Sequence, residues 1–139
     1  FKSDAQQNEI YENVGKRIDI AEYDFDTAKV MLKSGRRLYV AFMCHQVVEK
    51  MLKAYWCATQ EKEPPYIHNL NRLAEGAGLL TELNEKQCDF IETLTPMNIE
   101  ARYPEYKDQL SRALTPKYCR SIVNDTKDFM QWIKNKLSI

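Results

Sequence analysis

The sequence predicts an all-α fold, an up-and-down bundle of four to five helices, and three observations predict it. Gly and Pro are scarce, at four and five residues of 139, which disfavours a chain built of strands and tight turns. Apolar residues recur at spacings of three and four over long segments, the signature of helices with one buried face. One segment, Arg36 to Trp56, is apolar around most of its circumference, since Val40, Phe42, Met43, Val47, Val48, Met51, Leu52, Tyr55 and Trp56 do not keep to one stripe. A helix of that kind is covered on several sides, so the other segments are expected to pack around it.

The elements follow in order. Residues 1–9 read as a frayed lead-in or, over Phe1 to Gln7, as an extra turn. Ile10, Val14, Ile18, Ala21, Phe25, Ala28 and Leu32 then place one apolar stripe on a first long helix, with Gly15 as a point where it is expected to weaken or kink, because Gly costs a helix interior about 1 kcal/mol relative to Ala. Ser34-Gly35 supplies a stop, since Gly accepts the left-handed conformation just past a helix end. The central helix begins at once, which makes the two antiparallel neighbours. A polar loop follows, stiffened by Pro64-Pro65. Asn69 to Ala77 reads as a short helix with Leu70 and Leu73 inward, ended by Gly76-Ala77-Gly78. A fourth helix runs from about Thr81 or Asn84 to Leu94 and is interrupted at Thr95-Pro96. It is expected to resume over Met97 to Arg102, and Tyr103-Pro104-Glu105-Tyr106 reads as extended or turned. The last helix opens with Thr115 as N-cap and Pro116 at the first helical position, where Pro fits best; its stripe is Tyr118, Ile122, Thr126, Phe129, Ile133 and Leu137. Residues 1–139 are expected to form a single domain, a length sufficient for a core without metal or disulfide staples.

Composition narrows the function classes. Hydrophobic residues make up 44% and charged residues 29% of the chain, and nothing approaches the apolar run of about 18 residues that a membrane span requires. Basic and acidic residues balance at 20 each, which argues against a long basic face gripping nucleic acid. The distribution is uneven: from Ala101 to Ile139 eight basic residues stand against four acidic ones, a net +4. That segment reads either as a solvated face or as a phosphate-binding patch. Cys44, Cys57, Cys88 and Cys119 show no C-x-x-C spacing and neither His sits at zinc-site spacing, so free thiols in a reducing cytoplasm and no metal are expected. Phosphate-cradling Gly loops, H-E-x-x-H and G-x-S-x-G are all absent from the sequence.

The polar residues of the central helix carry the functional reading. Glu49 and Lys53 stand four apart on one face, Gln46 lies a turn earlier and Lys50 on the adjoining edge. Buried charges are costly unless paired, so a Glu49 pair with Lys53 or Arg102 that closes the bundle is one account. In the other, Lys50, Lys53 and Arg102 present positive charge to a nucleotide. His68, after the Pro-Pro loop, either fixes that loop by bonding to backbone groups or meets a ligand.

Gln46-Val47-Val48-Glu49-Lys50-Met51-Leu52-Lys53-Ala54, then His68-Asn69-Leu70, then Ala101-Arg102-Tyr103-Pro104 resemble, in that order, the motifs of the HEPN domain, a family of small helical bundles. The resemblance spans Ile18 to Leu137 and is to the branch encoded beside, or fused to, minimal nucleotidyltransferases. It implies a cytoplasmic, non-catalytic helical domain that binds nucleotide or nucleic-acid phosphate, with ATP as one such ligand and no tightly held cofactor. It also implies a nucleotidyltransferase partner, in a toxin-antitoxin or defence module. The ligand residues it suggests are Gln46, Glu49, Lys50, Lys53, His68, Arg102 and Tyr103. Nuclease members of the superfamily carry an Arg, four to six residues, then a His that serves as acid or base; here seven residues separate Arg37 from His45 and eight separate Arg36 from it. A ribonuclease or toxin with a displaced Arg and His is therefore the runner-up, and a structural dimerisation domain the third reading. Tyr39, Tyr55, Trp56, Tyr103, Tyr106 and Trp132 exceed what one small bundle hides, and family members commonly pair, so a two-fold homodimer formed by helix faces is expected.

Overall fold

The computed structural model describes residues 3–100 and 102–139, with the side chains of residues 99 and 100 left aside. Phe1, Lys2 and Ala101, the first residue of the Ala101-Arg102-Tyr103-Pro104 motif, lie outside the described residues. The architecture is all-helical: α1 (Asp4–Lys33), α2 (Arg37–Gln60), α3 (Leu70–Gly76), α4 (Glu85–Leu94), α5 (Met97–Glu100), α6 (Pro104–Ala113) and α7 (Pro116–Leu137). Five of these have ten residues or more; α3 and α5 are short.

The central helix is α2, about 36 Å long at 1.5 Å per residue, and it packs against each of the other six. Val40, Val47, Val48, Met51 and Leu52 on it are fully buried, while Phe42, Met43, Tyr55 and Trp56 pack against the core at its edges. The wrap-around apolar pattern thus has its expected cause. Burying a side chain of this size contributes roughly 1.5–3 kcal/mol, so this one helix organises much of the core. Its widest partner is α1, followed by α7. The turn between α1 and α2 is closed by Gly35, whose φ of 74° lets the Arg36 amide reach the Met31 carbonyl at 2.9 Å and the Gly35 amide the Leu32 carbonyl at 3.3 Å. Those two bonds satisfy carbonyls that a helix end leaves bare.

Three local expectations change. Residues 4–9 are helical rather than frayed, because Ser3 caps the Gln6 amide and the Gln6 side chain bonds back to the Ser3 amide at 2.9 Å, the reciprocal arrangement that satisfies two end donors together. Gly15 neither breaks nor ends α1, which runs unbroken through it; Val14 and Ile18 beside it are buried, and that packing outweighs the propensity of one residue. Tyr103 to Tyr106 is the start of α6, not an extended link. Only Tyr103 is extended. Pro104 sits at the first helical position, where its fixed φ suits the helix and its missing N–H costs nothing.

Gly76 has a role different from helix termination. The left-handed stop after α3 is Gly78, with φ 77°, whereas a Cβ on Gly76 would lie 2.3 Å from Trp56 Cζ3 and 2.4 Å from Cη2. The absent side chain is what admits the indole of α2 against α3. At α7 the sequence expectation holds closely: the Thr115 hydroxyl accepts from the Tyr118 amide, Pro116 opens the helix, and Ile122, Thr126, Phe129 and Ile133 are buried. Among the described residues no helix is long and apolar enough to cross a membrane.

Candidate functional site

The seven residues singled out in the sequence fall at three places. The first is an internal polar node in the middle of α2. Glu49 is 5% exposed and Lys53 7%, and the Lys53 ammonium donates to Glu49 Oε2 at 3.2 Å, as residues four apart on one helix face allow. The other carboxylate oxygen, Oε1, accepts from His68 Nδ1 at 3.0 Å. The His68 backbone carbonyl in turn accepts from His45 Nε2 at 3.1 Å. A carbonyl cannot donate, so that bond places the His45 proton on Nε2 and leaves the Nδ1 lone pair 3.9 Å from Glu49 Oε1, without a hydrogen-bond partner among the described residues.

The node ties the loop after Pro64-Pro65 to α2 through both the ring and the backbone of His68. Tyr66, almost wholly exposed, lies edge-on to the His68 ring with centroids 5.6 Å apart, and the Lys53 ammonium stands 5.7 Å from the Tyr66 ring centre. His45 is completely buried, and burial pushes its pKa down against the opposing pull of Glu49, Gln46 and the His68 carbonyl. Neutral imidazole is the form this surrounding favours, because desolvation penalises the charged one. Every charge of the node has a partner within α2 or its adjoining loop.

Lys50 is the second place. One position on from Glu49 it points away from the node, and its ammonium meets the largely buried Asp24 of α1. The pair clamps α1 to α2. Gln46, half-buried, stays beside His45. Of the proposed stripe, then, Gln46, Glu49, Lys53 and His68 come together and Lys50 does not.

Arg102 and Tyr103 are at the third place, a groove of about 730 Å³ between the N-terminal ends of α2 and α6. Arg102 makes no pair with Glu49: its Nε donates to the Asn98 carbonyl at 2.9 Å and its guanidinium lies 5.5 Å from the Phe42 ring centre. Arg36, Arg37 and Lys107 line the same groove, with Tyr39 and Tyr103 as its aromatic walls. Arg37 reaches the Ser111 carbonyl at 3.5 Å. Among the described residues, none of these four cations is paired with a carboxylate, whereas Arg17, Lys50, Lys53, Lys134 and Lys136 each are.

Helix ends add to the positive field. Ser3, Asn69, Asn84 and Thr115 cap α1, α3, α4 and α7 with side-chain oxygens, but α2 and α6 begin at Arg36 and Tyr103 with no side-chain cap. Amides at a helix start carry about half a positive charge along the axis. The start of α2, with no acidic residue in its first turn, and four cations therefore meet at one concavity, an arrangement suited to an anion such as a phosphate, while Glu105 in the first turn of α6 offsets part of the field there.

Sequence reasoning missed Lys107 and Tyr39 as parts of this groove and weighed Arg36 and Arg37 only as displaced nuclease residues. The missing cap was a legible signal: no Ser, Thr, Asn or Asp occupies position 36 or 103. The excess charge of the C-terminal segment does not form one patch, because Arg102 and Lys107 line the groove while Lys134 and Lys136 pair with Glu22 and Glu82. The aromatic surplus also divides. Tyr39, Tyr103 and Tyr106 are exposed, whereas Tyr55, Trp56 and Trp132 are half-buried against the core.

A further apolar face appears on the outside of α1. Ile20, Tyr23 and Val30, at helical spacing, are 50%, 74% and 59% exposed. It continues through Thr27 and Met31 into a shallow cavity shared with Arg36, Tyr39 and Met43, beside the basic groove.

The same helical arrangement is found in a solved structure. The crystal structure of TT1696 from Thermus thermophilus superimposes with a TM-score of 0.77 at 17% identity, over 88% of this chain and 97% of that one; a likeness at that identity speaks for the fold. No curated protein matches the chain. The family model of the HEPN domain matches residues 14–136, a span that holds α2, the polar node and both sides of the basic groove, so the chain belongs to the HEPN domain family.

Proposed function

We propose that this protein is a non-catalytic HEPN domain that binds the phosphate of a nucleotide or nucleic acid in the groove between α2 and α6, with Arg36, Arg37, Arg102 and Lys107 as the cations and Tyr39 and Tyr103 as stacking faces for a base. The observation that carries the reading is the set of four cations without carboxylate partners among the described residues, at two helix starts without side-chain caps. Lys50 and Lys53, by contrast, are already matched by Asp24 and Glu49, so a phosphate gains little there. The work alongside a nucleotidyltransferase, in a toxin-antitoxin or defence module, is supported by the motif resemblance alone and is part of the same proposal. Pairing into a two-fold homodimer is supported by the exposed Ile20, Tyr23 and Val30 stripe, which runs up to Tyr39 beside the groove.

Titration calorimetry with ATP tests the groove. Binding is expected to weaken as salt rises, because the cations are exposed to screening, and to fall about tenfold or more in Arg36→Ala/Lys107→Ala, the equivalent of roughly 1.4 kcal/mol. Unchanged affinity in that variant would overturn the assignment. The ribonuclease reading has His45 as its acid or base, but that ring is fully buried with Nε2 engaged by the His68 carbonyl. Purified protein is accordingly expected to leave single-stranded RNA and transfer RNA intact, and cleavage lost in His45→Ala would put the enzyme reading first. Light scattering at about twice 16.4 kDa supports the dimer; if ATP binding fails while the dimer persists, the structural dimerisation role is what remains.

A further inference from the structure

On another part of the molecule, α4 and α7 leave between them an open groove with the opposite charge. A cavity of about 620 Å³ runs along Asp89, Phe90, Leu94, Met97, Tyr118 and Ile122, and a second of about 290 Å³ continues it past Phe129 to Trp132. The two share Asn84, Lys86, Phe90 and Asp125 and form one trough. Its floor is apolar. Leu94, Met97, Ile122 and Phe129 are buried, and the half-buried rings of Phe90, Tyr118 and Trp132 stand along it. Its rims are acidic: Glu85 and Asp89 on α4, Asp125 and Asp128 on α7, against the ammonium of Lys86, which lies 3.6 Å from Asp125, and at the far end that of Lys136, 4.8 Å from the Trp132 ring centre and already paired with Glu82.

We propose that this trough docks a basic amphipathic helix of another polypeptide. From Tyr118 to Trp132 it extends along about four turns of α7, roughly 21 Å at 1.5 Å per residue, the length over which a helix places anchors at positions i, i+3 or i+4, and i+7. The floor takes such apolar anchors and the rims take the Lys or Arg residues flanking them. Nucleotides and nucleic acid are repelled by the four carboxylates. A second copy of this chain is a poor occupant, because its cations at the α2 and α6 ends line a concavity rather than a protruding face. Such a head-to-tail contact would also build a ring or an open filament rather than a two-fold pair. Electrostatic complementarity of this kind acts chiefly on encounter and on partner choice, while the apolar anchors hold the complex.

The experiment uses the full chain, a synthetic Leu/Lys amphipathic helix about four turns long, and a Leu/Glu helix of the same length as the counter-probe. Tryptophan fluorescence reports docking, since of Trp56 and Trp132 only Trp132 lines the trough. The Leu/Lys helix is expected to bind and the Leu/Glu helix not. Asp89→Lys/Asp128→Lys, at two exposed rim positions, is expected to weaken binding about tenfold or more, and Lys86→Glu to strengthen it; the helical circular dichroism spectrum and cooperative thermal unfolding show that the variants remain folded. Equal binding of the two helices, binding insensitive to both variants, or self-association that Asp89→Lys/Asp128→Lys abolishes would each overturn the proposal.

Discussion

Two clusters of charge sit on the same helix and differ in who neutralises them. Midway along α2, Glu49 and Lys53 are almost fully buried and match each other, with His68 completing the carboxylate's bonds. At the start of α2, Arg36 and Arg37 share a groove with Arg102 and Lys107, and no carboxylate among the described residues answers them. A buried charge is tolerated only when paired and hydrogen-bonded, so the first cluster holds the fold together. Unpaired cations at the surface keep their charge available to an outside anion. The contrast shows that residue type and helix face do not separate structure from binding; the partner in space does.

Breaking the buried cluster is expected to have the largest effect. Glu49→Ala leaves the Lys53 ammonium buried and releases His68, and should cost about 3–5 kcal/mol, the usual penalty for removing one member of a buried pair. Denaturant unfolding measures it. ATP affinity of the folded fraction should not change, because Glu49 does not line the groove; a large loss of affinity with little loss of stability would reverse the roles of the two clusters.

Acidification is the next probe. Burial lowers the His45 pKa below its ordinary 6.5, so the unfolded chain takes up a proton that the folded one resists. Stability from this site is fully present above about pH 6.5 and is lost as pH falls from there toward the depressed folded value, by at most about 1.4 kcal/mol for each pH unit in that window. Glu49 and His68 are the titratable groups beside the ring, so the comparison is with His45→Gln across the same range: the variant should show a shallower fall. Identical slopes would remove His45 from the account of acid sensitivity.

The smallest expected effect distinguishes the clusters in the opposite direction. Tyr103 has the extended backbone of an N-cap but no side-chain oxygen bonded to α6. Tyr103→Asp should supply the missing cap and raise thermal stability by about 0.5–1 kcal/mol, while adding a negative charge to the groove and weakening ATP binding. A gain in both stability and affinity would show that the bare helix start does not serve a ligand.

The fold was largely legible because its signals are local. The stripes of α1 and α7, the encircling apolar surface of α2, the stop at Gly35 and the Thr115-Pro116 start all act through neighbours within a few residues. Where those signals conflicted, packing decided: Gly15 reads as a weak point yet lies inside α1 beside buried Val14 and Ile18, and Gly76 reads as a stop yet makes room for Trp56. The site was legible only in part. Pairing of Glu49 with Lys53 is one of the alternatives their spacing allows, but the pairing of Lys50 with Asp24, twenty-six residues away, is not legible at all.

By itself, then, the sequence determined the long helices and the burial of α2 and offered the Glu49–Lys53 pair as one alternative, since each depends on residues that stand within a few turns of one another. Tertiary structure alone decided that Arg36 and Arg37 meet Arg102 and Lys107, that His45 and His68 share one node, and that α4 and α7 leave an acidic trough between them. The physical reason is that charge and exposure are properties of what lies across a gap, and chain spacing carries no information about which side chains face it.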